Sequence, residues 1–397
     1  MEFEIRLLTQ GDLEQAFRLD QQAFDTPEKH RDLWMKRALP ERTHGAFADG
    51  RLVATTHVHA FGQFFGGRSV PMGGVGGVAV APEHRGKGLA RRIMTEALQA
   101  MRARGEVISA LFPATTTLYR GVGYELAGAA VWHQVSPRAL REQRGANALE
   151  TRRVEKGDDP TGMRGCYERV APEINGWLDR GDRHWQSLWE WWHAGHYVYA
   201  CENPGGEVEG YLVYRHEPTP PGARGDYGVR VAQIVAATPE GLRAVWWTLA
   251  SSASLVDAVT FTASPEDALL LLMPEQHISV RGQVRWLLRI VDAQAAVALR
   301  GYPPSLEIEA PLTVEDAILA DNTGAWTLRV ADGEGRLESG GRGGPRLGIG
   351  ALSSLYTGWA STATLLRAGL LEGGSAAQLR ALDAAFAGPT PWMMDEF

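Results

Sequence analysis

The chain has 397 residues, of which 44% are hydrophobic and 22% charged, a composition typical of globular proteins. A chain of this length exceeds what one hydrophobic core supports, so we expect two or three domains. The formal net charge of -7 argues against general nucleic-acid binding. The two cysteines, Cys166 and Cys201, form no C-x-x-C motif, which argues against a disulfide scaffold and against a thiolate metal site.

Membrane and export signals are not evident in the sequence. The first residues, MEFEIRLLTQGD, lack a basic segment followed by an apolar run. Apolar stretches such as ALLLLM (268–273) are far too short to span a bilayer. We therefore expect a cytoplasmic protein with no membrane partner.

The first part of the chain predicts alternating strands and helices in the order β-α-β-β-β-α-β, followed by a short helical turn and a further strand. FEIRLL (3–8) alternates as a strand, and the next residues, to about Phe24, have apolar side chains near helical spacing. Asp49-Gly50 is the residue pair that a tight hairpin turn prefers. GGVGGVAVAP (73–82) and VISALFPA (107–114) read as further strands, with a helix to about Arg104 between them.

The rest of the chain divides into two more regions. After a linker-like stretch at 142–150 comes an aromatic cluster, HWQSLWEWWHAGHYVYA (184–200), and then a strand-helix-strand pattern over 231–261. The last region begins with a hairpin-like, glycine-rich stretch and ends in two helical patterns. We expect a mixed α/β (α+β) protein of three domains, with bounds 1–145, 150–284 and 285–397.

The segment VAVAPEHRGKGLARRIM (78–94) places several cations at a strand-to-helix turn. A Walker loop needs Ser or Thr after its lysine, but Gly88 follows Lys87. The glycines of GGVGGVA precede a strand rather than follow one, so a Rossmann turn does not fit. A nucleic-acid patch is disfavoured by the acidic chain, and a merely solvated helix start is disfavoured because cations there oppose the helix dipole. Free amides at a helix start, joined by Arg and Lys, predict a pyrophosphate cradle.

The order strand, Arg85-x-x-Gly88-x-Ala90, helix resembles the acetyl-CoA-binding motif of the GNAT N-acetyltransferases. Segments along almost the whole chain resemble the Eis (enhanced intracellular survival) family of such enzymes: LYRGVGYELAG (118–128), RWLLRIVDAQAAVALRGY and the ending LDAAFAGPTPWMMDEF. That resemblance implies a GNAT domain, a degenerate GNAT-like domain and a C-terminal domain like a sterol carrier protein. It also implies a homo-oligomer, a hexamer or a trimer, and a small-molecule amine or lysine-bearing substrate.

The resemblance also implies roles for individual residues. Tyr119, the first Tyr of a Y-x-x-x-G-Y segment, matches the general acid, and the terminal carboxylate of Phe397 matches the general base. Burial would raise the pKa of that carboxylate, or the carboxylate mainly binds and orients the amine. The residues implied for acetyl-CoA are Val78, Ala79, Val80, Arg85, Gly86, Lys87, Gly88, Leu89 and Ala90. Those implied for the acceptor are Asp25, Trp34, Trp185 and Glu396.

Purely structural interpretations stay open for these residues. Tyr119 and the tryptophans also suit a packed core, Asp25 and Glu396 also suit a solvated surface, and Phe397 also suits a frayed terminus. His193 and His196 lack a third ligand nearby, so we expect no metal site. The rival function is a catalytically silent acyl-CoA- or lipid-binding protein with the same fold.

Overall fold

The computed structural model describes residues 3–219 and 225–397. Its first region has the predicted strand and helix order, with one added helix, α2. The elements are β1 (Glu4–Leu7), α1 (Leu13–Phe24), α2 (Arg31–Arg37), β2 (Thr43–Ala48), β3 (Arg51–Phe65), β4 (Arg68–Val80), α3 (Leu89–Ala103), β5 (Ile108–Leu111), α4 (Thr116–Arg120), β6 (Glu125–Val135) and α5 (Pro137–Leu140). The β2–β3 hairpin turns at Asp49 and Gly50, whose φ angles of 48° and 77° are those of the tight turn predicted there.

The second region repeats the mixture of strands and helices. Its elements are β7 (Thr151–Arg153), α6 (Thr161–Val170), β8 (Leu178–Asp179), α7 (Asp182–Trp192), β9 (Tyr197–Glu202), β10 (Val208–Glu217), β11 (Tyr227–Ala236), α8 (Pro239–Ala250), β12 (Val256–Ala263), α9 (Leu269–Leu272) and β13 (Ser279–Ile290). Strands β11 and β12 are parallel and joined by α8, which is the strand-helix-strand unit that the sequence predicted.

The third region forms its own sheet. Its elements are α10 (Ala293–Leu299), β14 (Ile308–Glu315), β15 (Gly324–Ala331), β16 (Glu334–Ser339), β17 (Arg346–Gly348), α11 (Ile349–Tyr356), α12 (Thr362–Arg367), β18 (Leu371–Glu372) and α13 (Ala376–Phe386). The strand order is β16-β15-β14-β17-β18, and the helices cover an apolar core that continues into the first region. Residues 387–397, here called the C-terminal tail, follow α13 with no helix or strand.

The first two regions share a single mixed sheet. Its order is β1-β2-β3-β4-β5-β13-β6-β12-β11-β10-β9-β7, with β8 paired to β3. Strand β13, from the end of the second region, lies between β5 and β6 of the first, where Leu287 faces Leu111 on one side and Leu126 on the other. The expected domain boundary between residues 284 and 285 falls inside this strand. The whole of β13 belongs to the shared sheet, so the chain leaves that sheet only after Ile290.

Strand β4 stops pairing with its parallel neighbour, β5, part-way along its length. It pairs with β5 only over Met72–Gly74, whereas its pairing with β3 continues to Val80. A bulge at Gly77, with φ of 56°, interrupts the register with β3. The sheet therefore opens between β4 and β5, next to the start of α3.

A buried ion pair joins the third region to the shared sheet. Both Nη2 contacts of Arg289 to the Asp316 carboxylate are 2.8 Å, and the two side chains are 0% and 1% exposed. Asp316 also accepts from the backbone N–H groups of Ile318 and Leu319. The pair thus joins the third region to strand β13 of the shared sheet.

Candidate active site

A cavity of about 360 Å³ lies between β3, β4 and the helices α1 and α2. Much of its wall is apolar, with Leu13 of α1 and Trp34 of α2 among the lining side chains. Its charged groups include Asp20, whose carboxylate accepts a 2.5 Å hydrogen bond from Thr26 Oγ1. The last residue of the chain, Phe397, lines the cavity together with Gly76 and Gly77 of β4. The chain terminus is therefore part of a cavity rather than a frayed end.

Aromatic rings hold the side chain of Phe397 against the sheet. Its ring centroid lies 5.2 Å from that of Phe61, 6.2 Å from that of His59 and 6.3 Å from that of Phe112. Distances of this size are typical of tilted and edge-to-face aromatic pairs. Strand β3 provides two of these rings, and the third, Phe112, directly follows β5.

Two glycines of β4 make room for the terminal residue. A Cβ atom on Gly74 would lie 2.7 Å from the Cε2 atom of Phe397, closer than real Cβ contacts allow. A Cβ on Gly76 would lie 3.3 Å from the terminal oxygen of Phe397. The terminal carboxylate consequently rests on bare β4 backbone, a close approach that glycine in a strand interior often permits.

Two neutral histidines of β3 line the same cavity. His57 and His59 have ring centroids 4.2 Å apart. Burial, helped by Arg42 and Arg183, lowers the pKa of His57 to about 4, and burial lowers the pKa of His59 well below its usual value. Neither imidazole is charged at neutral pH, so neither neutralises the nearby carboxylate.

The tautomer of His57 follows from its hydrogen bond. Thr43 Oγ1 donates its one proton to the carbonyl of Leu39 at 2.8 Å, so it must accept from His57 Nδ1 at 2.7 Å. His57 therefore carries its proton on Nδ1, and the lone pair of Nε2 is left for another partner.

Tyr119 lies on the other face of β4. It is 7% exposed and packs with Val75 of β4 and Leu111 of β5, and Val78 packs against the same cluster. Burial raises the pKa of Tyr119 to about 12, so the phenol keeps its proton at neutral pH. Its hydroxyl has no hydrogen-bond partner among the described residues. Tyr119 is thus an unengaged donor packed against β4 and β5.

Tyr124 has a different environment from Tyr119. Its hydroxyl lies 2.7 Å from Ser109 Oγ, which itself donates to the carbonyl of Gly73 at 2.7 Å. The side chain is fully buried. The hydroxyl of Tyr124, the second Tyr of the Y-x-x-x-G-Y segment, is therefore engaged inside the core.

The turn before α3 is shaped for an anion. Gly86 and Gly88 both have φ of 74°, and a Cβ at either position would meet nothing within 4 Å. No side chain caps α3, whose first backbone bond runs from Arg92 N to the carbonyl of Gly88. The amides of the first turn are consequently left without partners inside the helix.

The side chains around this turn divide into two groups. Arg85 and Lys87 are exposed and donate to the nearby carbonyls of Val80, at 3.1 Å, and Glu83, at 2.9 Å. Among the other expected cofactor residues, Ala90 is half-buried, and four pack onto the core and leave mainly backbone groups toward the turn: Val78, Ala79, Val80 and Leu89. Together these features fit a pyrophosphate.

Comparisons with known proteins agree with this geometry. Models of an acetyltransferase (GNAT) domain match residues 4–127 and 176–290, and that of a sterol carrier protein domain matches residues 293–394. A crystal structure of a GCN5-related N-acetyltransferase from Anabaena variabilis covers 100% of both chains at 30% identity, with a TM-score of 0.92. The N-acetyltransferase Eis of Mycobacterium tuberculosis is 28% identical, covering 81% of this chain and 79% of its own. An uncharacterized N-acetyltransferase of Streptomyces griseus is 30% identical over 385 residues, 90% of this chain and 89% of its own.

The chain belongs to the Eis family of GNAT N-acetyltransferases. It is therefore an acetyltransferase with two GNAT domains and a sterol-carrier-like domain, as its sequence predicted. GNAT acetyltransferases use acetyl-CoA as co-substrate, and the turn before α3 fits that molecule's pyrophosphate. Within the described residues no helix is long and apolar enough to cross a membrane, and no group of three His, Cys, Asp or Glu is placed to hold a metal ion.

The four acceptor residues implied by the Eis family have different positions. Trp34 lines the cavity, 5.4 Å from the ring of Phe17. Asp25 ends α1 in a left-handed conformation and is exposed, directly before the cavity residue Thr26. Glu396 is also exposed, directly before Phe397. Asp25 and Glu396 are thus neighbours of the cavity lining, outside it.

Trp185 is not among the described residues that line the cavity. It is 6% exposed and belongs to the core of the second GNAT domain, where its ring lies 5.4 Å from Tyr167 and 5.0 Å from the Arg180 guanidinium. Trp185 lies on the face of helix α7 that packs against the second GNAT domain, and this explains why its side chain is buried. Trp185 contacts the site only indirectly, through Arg180.

Several residues of the site escaped the sequence analysis. Gly74 and Gly76 could have been found from the sequence, because glycines inside a strand pattern indicate that another part of the chain or a ligand approaches the backbone closely. The sequence indicates His57 and His59 more weakly: residues two apart on a strand share a face, which places the two imidazoles side by side. The contact of Arg180 with Asp395 spans 215 positions and has no local signal.

The lowered histidine pKa values predict a pH-dependent stability. The unfolded chain binds a proton at His57 near pH 6.5, whereas the folded chain does so only near pH 4. Stability is therefore complete above pH 6.5 and is lost as pH falls toward 4. From pH 7 to pH 5 we expect His57→Gln to lose about 2 kcal/mol less unfolding free energy than the wild type does.

Urea denaturation at the two pH values measures this difference. His216→Gln, at an exposed position, controls for the substitution itself. Equal pH dependence in the wild type and in His57→Gln would show that His57 is not held neutral.

Proposed function

We propose that this acetyltransferase transfers the acetyl group of acetyl-CoA to a primary amine, with the carboxylate of Phe397 as general base and Tyr119 as general acid. The position of the terminal carboxylate of Phe397 carries the proposal. A Cβ atom on Gly76 would lie 3.3 Å from one of its oxygens, and both residues line a mostly apolar cavity. A carboxylate in such surroundings attracts an ammonium strongly, because little water screens the two charges.

Aromatic and acidic groups around the cavity support an amine acceptor. Trp34 offers a ring face to an alkyl or cationic group, and Asp20 supplies a second carboxylate inside the cavity. Asp25 and Glu396 would add negative charge next to it. Amines of the aminoglycoside type and lysine side chains both fit this description.

The chemistry moves the two protons that the ammonium must lose. The bound ammonium gives one proton to the Phe397 carboxylate, and the neutral nitrogen then attacks the thioester carbonyl. A C–N bond forms and the C–S bond breaks. The thiolate takes a proton from Tyr119, and the second nitrogen proton restores the phenol. The Phe397 carboxyl group releases its proton to solvent, so the products are an acetamide, a free thiol and one proton.

The acidity of Tyr119 determines how its proton moves. A phenol with a pKa of about 12 is a weaker acid than a thiol, whose reference pKa is about 8.5. Full transfer to a free thiolate would be uphill, so Tyr119 donates a hydrogen bond while the C–S bond breaks. The proton crosses only as the nitrogen proton replaces it. The same high pKa keeps the donor protonated through alkaline pH.

Opposite faces of β4 carry the two catalytic groups. Phe397 rests on Gly74 and Gly76, while Tyr119 packs with Val75. Successive residues of a strand face opposite sides, so the acid and the base meet only at the strand's edge. We infer that the reacting carbonyl lies at that edge, where β4 has left β5.

A direct assay tests the proposed function. Thiol release from acetyl-CoA would be measured against a simple monoamine, a lysine-containing peptide and an aminoglycoside, with mass analysis of the products. The proposal expects amine-dependent thiol release and an N-acetylated product from at least one class. Acetyl-CoA binding without any transfer would instead favour a silent acyl-CoA-binding protein.

The first prediction concerns the turn before α3. Gly88→Glu should abolish acetyl-CoA binding, because it places a carboxylate where the pyrophosphate is expected and fills the open space beside the helix start. Gly206→Glu is the matched control, since Gly206 also has a positive φ, 83°, with nothing within 4 Å. Calorimetric titration should find binding lost only in Gly88→Glu. Unchanged affinity in that folded variant would put the cradle elsewhere.

The second prediction concerns Tyr119. Tyr119→Phe should lower kcat by roughly 10²- to 10⁴-fold with little change in acetyl-CoA affinity. Tyr124→Phe is the control, because that hydroxyl is bound to Ser109, and it should keep kcat near the wild-type value. The wild-type kcat should also show no loss up to about pH 10 from ionisation of Tyr119. A change confined to KM would make Tyr119 a binding residue.

A further inference from the structure

The C-terminal tail is held between the two GNAT domains from Pro391 onward, where most of its residues are buried. The N–H of Trp392 donates to the carbonyl of Asn175 at 3.1 Å, and the carbonyl of Pro391 accepts from Ala129 N at 3.2 Å. Glycines make room here too: a Cβ on Gly176 would lie 2.7 Å from the carbonyl oxygen of Trp392. The tail therefore follows a fitted path toward the cavity.

The tail's strongest contact lies two residues before its end. Asp395 receives hydrogen bonds from Arg180, with Nη2 at 2.8 Å from Oδ1 and Nε at 3.1 Å from Oδ2. The two side chains are 2% and 0% exposed. His184 Nε2 lies 3.2 Å from the same carboxylate. Arg180 and His184 both belong to the second GNAT domain.

The surroundings keep this pair charged. Burial alone would raise the pKa of Asp395, but Arg180 and His184 bring that pKa down to about 2. The Arg180 guanidinium lies 3.8 Å from the ring centroid of Tyr167, which fixes its orientation. Either ion alone would be strongly disfavoured in this buried position, so the pair forms only when the tail is docked.

We propose that Arg180 and His184 are positioning residues that latch Asp395 and thereby hold the terminal carboxylate of Phe397 in the cavity, an inference that rests on the proposed function. Two residues span at most about 7 Å, so fixing Asp395 confines the terminus to the neighbourhood of Gly76. The His184 ring also lies 5.0 Å from Phe61, the residue against which Phe397 packs. The second GNAT domain thus contributes the latch for a base that acts in the first.

A purely structural role is the alternative, and the chain offers a matched control. Arg289 and Asp316 form a buried pair of the same kind, with contacts of 2.8 Å, but do not contact the tail. Asp395→Asn and Asp316→Asn each remove one buried charge while keeping the side-chain shape. A general loss of stability should affect both variants, whereas release of the tail should affect only the first.

The test compares the two variants with the wild type by three measurements. Carboxypeptidase release of Phe397 reports whether the terminus is docked, acetyl-CoA titration reports the cofactor turn, and amine acetylation gives kcat. In Asp395→Asn we expect faster release of Phe397 and a kcat lower by on the order of 10²-fold, with acetyl-CoA affinity unchanged. Asp316→Asn should melt at a lower temperature but keep slow release and a wild-type kcat.

The double variant Arg180→Met/Asp395→Leu replaces both ions with apolar groups, so it tests the latch in a folded protein if Asp395→Asn is unstable. Its tail should also be released. Slow release of Phe397 in either folded variant, whatever its kcat, would overturn the latch. Fast release with an unchanged kcat would leave the latch standing and contradict the carboxylate's role as base.

Discussion

The docking of the chain's own C-terminus against strand β4 is the constraint on which the rest of the site depends. A terminal carboxylate is charged and mobile, so it enters a cavity only where other contacts hold it. The ion pair of Asp395 with Arg180 provides the strongest of these contacts. Gly74, Gly76 and Gly176 remove the side chains that would obstruct the tail. The glycines at these three positions therefore accommodate the path of the C-terminal tail.

The path of the C-terminal tail explains how the three domains are arranged around the site. The third domain shares an apolar core with the first, and the chain returns from it between the two GNAT domains. The second GNAT domain supplies Arg180, and its last strand, β13, lies inside the first domain's sheet. Each domain therefore contributes to one site, although the turn expected to bind acetyl-CoA, residues 85–90, belongs to the first alone.

Local features were the predictable ones. The hairpin at Asp49-Gly50 and the cradle before α3 depend on a few adjacent residues, whose turn and helix-start preferences are strong. The position of β13 between β5 and β6 was not predictable, because strand order depends on distant pairing that no short pattern encodes. The acceptor role of Trp185 came from the family resemblance, whereas a tryptophan by itself more often suits a core or an interface. Its packing against Tyr167 is a long-range contact that no short pattern encodes.

The central claim is that the carboxylate of the last residue acts inside the cavity. Its most direct test adds a few residues after Phe397 and compares the product with the same extension at the N-terminus. An added residue converts the Phe397 carboxylate, which rests on Gly76 in the cavity lining, into an amide and moves the charged terminus elsewhere. We expect amine acetylation to fall by on the order of 10²-fold or more only in the C-terminally extended enzyme, with acetyl-CoA binding intact in both. Equal rates of acetylation in the two enzymes would contradict the claim.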